Sequence, residues 1–592
     1  MFVAFASEDV DRVARTLMTV RTGVHGHVHW IHPTGFGWSD GKGAATAAHG
    51  AAVAVGRASL HAIDSRPEAL EDRAPLDLAL QTYLHREGDI ARLAGVFGFV
   101  VWNRQSFELH ALRDHLGVAA LYWSDRDGDL FVSDSLETPA KSGHLDPQAL
   151  RQFIVQGHIG PSRSMWKGLQ PLNAASILQW RPGRPIATKR YFSLTNCRVQ
   201  VPETTDEITA EGRRLMIDAV HTAAKGRRFW TDLSGGHDSS SVASIGGWLR
   251  RKYNQVNLGG TVTFVDSIGE GDESEFVAAV LKEYALDSIT IVDACPWDTD
   301  GSVPPSTPSP SRDYPFWKRD RFLSAELKRR GCEALFSGIG PDYYLPLTCA
   351  HALDQVRQWR IADASEVFAE WTIQNRSNFW REAYREVISP LMPSVVQRRW
   401  LRPSAKRPSW LREDFIGDHE FRALQVERDV VRAWPGGVCA ERVAQRFSEI
   451  PCGLDGWRSL DGVSIDHPLL YLPLVQFCLS IDWRLRTSFS RPKPLLRKAM
   501  AGIVPDVILN RNTKGSLVLP RVVWALSHHR QWLRALLKNP VLGDLAVIEP
   551  ARMLHAIDDA AAGSGSARYL YFALSLETWL SARAKRTELM AA

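Results

Sequence analysis

Trp230-Thr231-Asp232-Leu233-Ser234-Gly235-Gly236-His237-Asp238-Ser239-Ser240 reads as a strand that runs through a turn into a helix. Arg228 to Leu233 mixes aromatic, β-branched and aliphatic side chains, and Val242 to Leu249 has apolar positions at helical spacing. Two adjacent glycines let the backbone reach positive φ and approach a ligand closely. Ser234 and Ser239 add hydroxyls, and the first turn of the helix offers unpaired N–H groups. Together these make an anion cradle; a plain Gly-rich turn is the bland alternative. A Walker loop requires Gly-x-x-x-x-Gly-Lys-Ser/Thr. The nearest stretch, Gly37 to Lys42, has the wrong spacing and is followed by Gly43.

The surroundings extend this unit. Thr261 to Val265 and Ile289 to Val292 read as further strands, with Phe276 to Tyr284 helical between them. The alternation predicts a parallel, doubly wound sheet with its ligand at the carboxyl ends of the strands. Ala334-Leu335-Phe336-Ser337-Gly338-Ile339-Gly340-Pro341-Asp342 is another strand ending in glycines and an aspartate. Asp238 and Asp342 would then face one phosphate group, and magnesium takes one or two protein carboxylates plus phosphate oxygens. An N-cap is the structural alternative for Asp342. Pro304 to Pro315 can be neither helix nor central strand, and reads as a lid over the site or as an insertion.

Residues 1 to about 190 read as short strands, with Leu93 to Asn103 buried, Phe107 to Leu112 paired with it, and a hairpin around Asp127-Gly128. His25, His27 and His29 alternate and could share a strand face, without a carboxylate nearby to complete a metal set. A polar, aperiodic stretch, Val201 to Thr205, marks a boundary, and a helix is expected from Thr209 to Lys225. From about 350 onward the pattern is mainly helical.

At 592 residues the chain exceeds a single core. A formal charge of +5 does not by itself point to nucleic acid. Seven cysteines, none in a Cys-x-x-Cys pair, read as reduced thiols. The N-terminus lacks a basic signal-peptide region, and the apolar run Leu469 to Ile481 is shorter than the ~20 residues that span a bilayer. A cytoplasmic protein is expected, with neither membrane nor nucleic acid as partner.

Ser-Gly-Gly-x-Asp-Ser at 234–239 resembles the pyrophosphate loop of the ATP-pyrophosphatase family, and Ser-Gly-x-Gly-x-Asp at 337–342 resembles the second phosphate motif of asparagine synthetases. Gly95 to Phe99, Arg113 to Gly117 and Phe131 to Ser133 are similar to the amino-terminal domain of class B asparagine synthetases. The resemblance implies an α/β chain. Residues 1–195 would form a degenerate class II glutaminase-like αββα sandwich, and 205–592 an ATP-pyrophosphatase domain (adenine nucleotide α-hydrolase-like) with added helices. ATP and Mg²⁺ are the implied cofactors. ATP would lie on Leu233, Ser234, Gly235, Gly236, Asp238, Ser239, Val265, Ser337, Gly338 and Gly340, with Asp238 and Asp342 on the metal. Lys514 stands at the lysine of the family's Arg-x-x-Lys-x-Gly motif, although here Gly515 follows it directly, and Lys493 and Arg497 on the preceding segment are the further catalytic candidates.

The family's glutaminase uses an amino-terminal cysteine. Here Phe2 stands at that place and no cysteine precedes Cys197, so loss of glutamine hydrolysis is expected. β-Lactam synthetases carry a tyrosine between the glycines of the second motif, and this chain has Ile339. A peptide α-amine, partly neutral near its pKa of about 7.7–8.0, needs no strong base. That reading, with Pro408-Ser409-Trp410-Leu411 in a basic stretch, is closest to the lasso peptide cyclases, or macrolactam synthetases. The resemblance then implies a precursor peptide as substrate, and a leader peptidase and a leader-binding protein as partners. An ammonia-dependent or β-lactam synthetase-like small-molecule ligase is one alternative, and a catalytically silent ATP-fold scaffold another.

Overall fold

Strand patterning with few helices gives the first third of the chain its layers. The computed structural model describes the chain except residues 24–25, 41–43, 64–73, 138–143, 269–272, 298–301, 303, 346–349, 376–379, 381–383, 385–387, 390–391, 401–405, 427–446, 448–461, 489–491, 512–517, 564–566 and 592. Strands β1 (Phe2–Ala6), β2 (His27–His32), β3 (Gly35–Ser39), β4 (Ala45–His49), β5 (Ala52–Ile63), β6 (Leu93–Asn103), β7 (Glu108–Arg113), β8 (Tyr122–Arg126), β9 (Asp129–Ser133), β10 (Gln170–Pro171), β11 (Ser176–Trp180) and β12 (Ala187–Arg190) build two sheets. Their orders are β10-β8-β9-β1-β3-β2 and β12-β11-β7-β6-β5-β4, and the pairings are antiparallel. The β8–β9 hairpin turns at Asp127 and Gly128, both at positive φ, as a two-residue turn between right-twisted strands requires.

Alternation sorts the side chains into layers. Phe2, Ala4 and Ala6 of β1 meet Val100 and Trp102 of β6 between the sheets, while Val3 and Phe5 face Val13 and Leu17 of the helix Val10–Gly23. On the opposite side Phe97, Phe99 and Val101 pack on the helix Pro75–His85. The first part is therefore layered helix, sheet, sheet, helix. Among the described residues no group of three or more His, Cys, Asp or Glu could hold a metal. His29 instead hydrogen-bonds Ser39 Oγ at 2.8 Å, and His25 lies outside the described residues.

The second part opens earlier than the apolar period suggests. Its first helix runs Thr205–Ala224 because Thr204 and Glu207 form a capping box at its start. The parallel sheet follows, with β13 (Arg228–Asp232), β14 (Asn257–Val265), β15 (Ser288–Val292), β16 (Ala334–Phe336) and β17 (Ser464–Asp466) in the order β15-β14-β13-β16-β17. Phe229 and Phe336 face the helices 205–224 and 237–253, and Trp230 and Leu335 face Leu323 and Leu327 of the helix Trp317–Arg329. Both faces of the sheet are covered, which is what near-continuous apolar strands require.

The Pro-rich stretch 304–315 is a tied loop. Trp166 Nε1 donates to Pro308 O at 2.8 Å, Trp579 Nε1 to Thr307 O at 2.9 Å, and Tyr314 Oη to Pro305 O at 2.6 Å. Trp410 and Leu411 are buried in the helical core beside the helix 567–591, so that part of the basic stretch anchors the fold. Arg407 and Arg412 pair with Asp418 and Asp414. Among the described residues no helix is long and apolar enough to cross a membrane.

Gly338 brings β16 against the helix that starts at His237. A Cβ there would sit 2.4 Å from Ser239 N, a backbone atom. Gly338→Ala should therefore lose about 2–4 kcal/mol of stability. Gly236→Ala, whose Cβ would meet only Ser234 Oγ at 3.4 Å, should lose about 1 kcal/mol or less. Denaturant unfolding of the two variants checks the contrast, and equal losses would contradict it.

Candidate active site

At the carboxyl end of β13 the chain turns through Leu233 to Gly236 and enters the helix His237–Tyr253. Gly235 takes φ +74, a conformation that costs little only for glycine. The two serines close the turn. Ser234 N donates to Ser239 Oγ at 3.1 Å and the two Oγ atoms lie 2.9 Å apart. Gly236 caps the helix without a side-chain hydrogen bond, so first-turn N–H groups are left for an anion. This is the geometry expected from the sequence.

The second motif lies alongside. Ser337 Oγ is 2.6 Å from His467 Nδ1 and accepts from Ile339 N at 3.2 Å. Gly340 takes φ +144 and passes so close to Leu469 O that a Cβ would sit 2.7 Å from it. Gly340, not Asp342, is the N-cap of the short helix Pro341–Tyr344. Asp342 sits in its first turn with its side chain 59% exposed.

Lys493 joins the two motifs. Its Nζ lies 2.5 Å from Asp238 Oδ2 and 2.6 Å from Asp342 Oδ1. The residue takes φ +58 where the chain turns into the helix Pro494–Ala499. Burial works against its charge, but Asp238 and then Asp342 more than restore it, so its pKa lies above the ordinary lysine value. Two carboxylates converging on one positive charge beside a helix N-terminus fit Mg²⁺ with phosphate oxygens, and these residues would hold it.

Arg497 is turned elsewhere. Its Nε donates to Pro492 O at 2.7 Å, Nη2 to Arg511 O at 2.6 Å, and Nη1 to Leu509 O. The candidate catalytic arginine is thus corrected to a positioning residue, because its planar fork is directed at three backbone carbonyls. Lys514, with Asn512, Thr513 and Gly515, lies outside the described residues. Arg511 does not. It donates to Gly235 O at 2.8 Å, pairs with Glu273 through both carboxylate oxygens, and stacks on Phe276 at 4.1 Å. Sequence reading passed over Arg511 and Glu273; an arginine in the same motif as the candidate lysine was the available signal.

Val265 is at the end of β14 and 37% exposed. Beside it Arg521 pairs with Asp266 at 2.8 and 2.9 Å and also with Asp293, closing the rim over β14 and β15. Asp232, last residue of β13, has an Oδ1 that is buried with no hydrogen-bond partner. Burial raises its pKa to about 7, with the charge of Arg319 opposing the shift.

Two family matches accompany this geometry. Residues 455–581 match the asparagine synthase family and residues 79–192 the glutamine amidotransferase domain. Asparagine synthetase [glutamine-hydrolyzing] 1 of Bacillus subtilis is 22% identical over 559 residues, covering 85% of this chain and 80% of that protein. Asparagine synthetase [glutamine-hydrolyzing] 3 of the same organism is 28% identical over 479 residues, covering 76% and 71%. The chain is therefore similar to asparagine synthetases along most of its length, with a glutamine amidotransferase region followed by an asparagine synthase region.

Removing the Lys493 ammonium leaves two carboxylates facing each other. Lys493→Met should melt at a lower temperature than wild type in chelator. It should also gain more from millimolar Mg²⁺ without nucleotide, since nothing then competes for the carboxylates. An equal Mg²⁺ response in both proteins contradicts this placement.

Asp232 sets a pH dependence. The folded state keeps its proton up to about pH 7, whereas the carboxyl ordinarily titrates near 3.8. Stability from this group is therefore greatest at low pH and falls as pH rises from about 4 to about 7. Asp232→Asn should flatten that decline and raise the melting temperature above pH 7. Parallel curves of melting temperature against pH would rule it out.

Proposed function

We propose that this chain is an ATP-dependent, AMP-forming carbon–nitrogen ligase that adenylates a carboxylate and joins it to an amine. The convergence of Asp238 and Asp342 at the Ser234–Ser239 cradle carries the reading. A carboxylate oxygen attacks the α-phosphorus of ATP, and the bond to the β-phosphate oxygen breaks as pyrophosphate leaves. An amine nitrogen then attacks the acyl carbon. The carbon–oxygen bond to AMP breaks with its electron pair on AMP, and the nitrogen gives up one proton to solvent.

The loop N–H groups and serine hydroxyls would hold the pyrophosphate, and Mg²⁺ on Asp238 and Asp342 would neutralise its charge when bound. Lys493 would turn from the carboxylates to the phosphates as that charge arrives. Arg511 ties Gly235 to the 509–511 segment, which Arg497 holds through the carbonyl of Arg511. Catalysis of this kind is mostly positioning and electrostatics.

Glutamine is not the proposed nitrogen source. Among the described residues no cysteine lines the cavity between the two halves, and Phe2 fills the inter-sheet core. Cys197 is buried, and burial pushes its thiol pKa up to about 11, far from a nucleophile's. The finer proposal is an amine at the N-terminus of a precursor peptide, closed on an Asp or Glu side chain to a macrolactam, as in lasso peptide cyclases. A leader peptidase and a leader-binding protein are then its proposed partners. Similarity to asparagine synthetases favours a second reading, an ammonia-dependent ligase of a small carboxylate.

Candidate peptides and small acids should be tested separately for exchange of labelled pyrophosphate into ATP. Exchange with peptide and none with aspartate supports the cyclase; the reverse supports the second reading. Neither should be accompanied by stoichiometric glutamate when glutamine is added, and glutamate formation would overturn the proposed nitrogen source.

A further inference from the structure

A cavity of about 1420 Å³ lies between the two halves. One wall is β5, from which Arg57, Ala58, Ser59 and His61 line the cavity across a register shift between Leu60 and Ala62. The opposite wall comes from the helix Trp317–Arg329 and from β17, and the tied loop around Pro305–Ser309 forms part of the rim. His467 lines the far end. Its ring is the same one that meets Ser337 Oγ in the second phosphate motif, so one side chain separates the cavity from that motif.

The volume is many times the roughly 30 Å³ of a water-sized molecule. It also exceeds the range of about 300–1,000 Å³ typical of sites for drug-sized ligands. Charge narrows the class further. Arg57 pairs with Asp134 at 2.6 Å and Arg227 with Asp466 at 2.5 Å, and the further wall cations Arg321 and Lys328 are accompanied by Asp40, Glu137 and Asp320, so the wall carries both signs of charge. A polyanion needs uncommitted cations in number. Val96, Leu136 and Leu470 supply apolar wall between these pairs.

We infer that this cavity is a binding site for a peptide segment of several residues, which it delivers to the cradle from the side of His467. The inference rests on the ligase reading above and names its substrate class and the place where that substrate lies. A chain of mixed polarity, without high net charge, matches the wall. The amine approaches along the cavity, and the carboxylate to be activated projects past His467 toward the Ser234–Ser239 turn.

Ser59 is exposed to the cavity and belongs to no part of the proposed reaction machinery, so a cysteine there reports occupancy. The full-length Ser59→Cys protein is labelled with a maleimide and the rate at position 59 is read by mass spectrometry. Ser309→Cys serves as a second reporter should the first variant misfold. Ser106→Cys, in the β6–β7 turn, serves as the control outside the cavity. The probe is a pool of ten-residue peptides, each with a free N-terminal amine and one internal Asp or Glu.

The pool should slow labelling at 59 or 309 at least fivefold and leave 106 unchanged, while L-aspartate and L-glutamine at equal concentration do nothing. No protection by the pool, or equal protection by either amino acid, overturns the peptide site. Pyrophosphate exchange with the same pool is measured alongside. Exchange without protection overturns the cavity and leaves the ligase standing. Protection without exchange supports a peptide cavity and counts against the ligase reading.

Discussion

One ammonium between two carboxylates decides how the site is held. Asp238 opens a helix after the central strand, Asp342 begins a short helix one strand away, and Lys493 arrives from a segment 255 residues beyond Asp238. Two like charges so close would repel in a partly buried site, and each would resist ionisation. With Lys493 present both can stay ionised, ready for a harder cation when phosphate brings one. The left-handed backbone at Lys493 and the three carbonyls gripped by Arg497 keep the lysine's arm in place. Arg511 then links that arm to Gly235.

The sequence carried the parts of this arrangement that are local. A strand, two glycines, two serines and a helix start follow from short-range backbone chemistry, and the 234–239 and 337–342 turns have the predicted form. So do the hairpin at Asp127-Gly128 and the parallel order implied by alternating strands and helices. Contacts across long separations were not legible. Nothing in the spacing around Lys493 tells whether it meets a phosphate or a carboxylate, and Arg497 looked like a site cation until its hydrogen bonds to backbone were seen. Trp410 is similar: the basic stretch around it gives no sign of burial, whereas its packing against the C-terminal helix is a property of the whole fold. The capping box of Thr204 and Glu207 was missed, because the polar run around it reads as a boundary and the apolar period begins only near Thr209.

The two halves contribute unequally to chemistry. The parallel sheet supplies the cradle, the carboxylates and the lysine. The layered sheets of the first part supply a wall, built on β5 and closed by the Arg57–Asp134 pair. Such a division lets a region that matches a glutamine amidotransferase domain contribute shape to the site of the other half. Buried apolar strands on both of its faces hold that shape independently of any reaction.

The loop at 304–315 has a mechanical meaning. Its prolines have no N–H to give, so it is gripped through carbonyls, by one indole from Trp166 in the first half and another from Trp579 in the last helix. These two grips fall on adjacent residues, Pro308 and Thr307, and act like two hands on a drawstring. The halves cannot part without tearing the Trp166 grip, while the Trp579 grip holds the loop to its own half, so the rim does not gape. A long guest must then pass end-on, as thread through an eyelet, and its passage depends on a free end more than on its width.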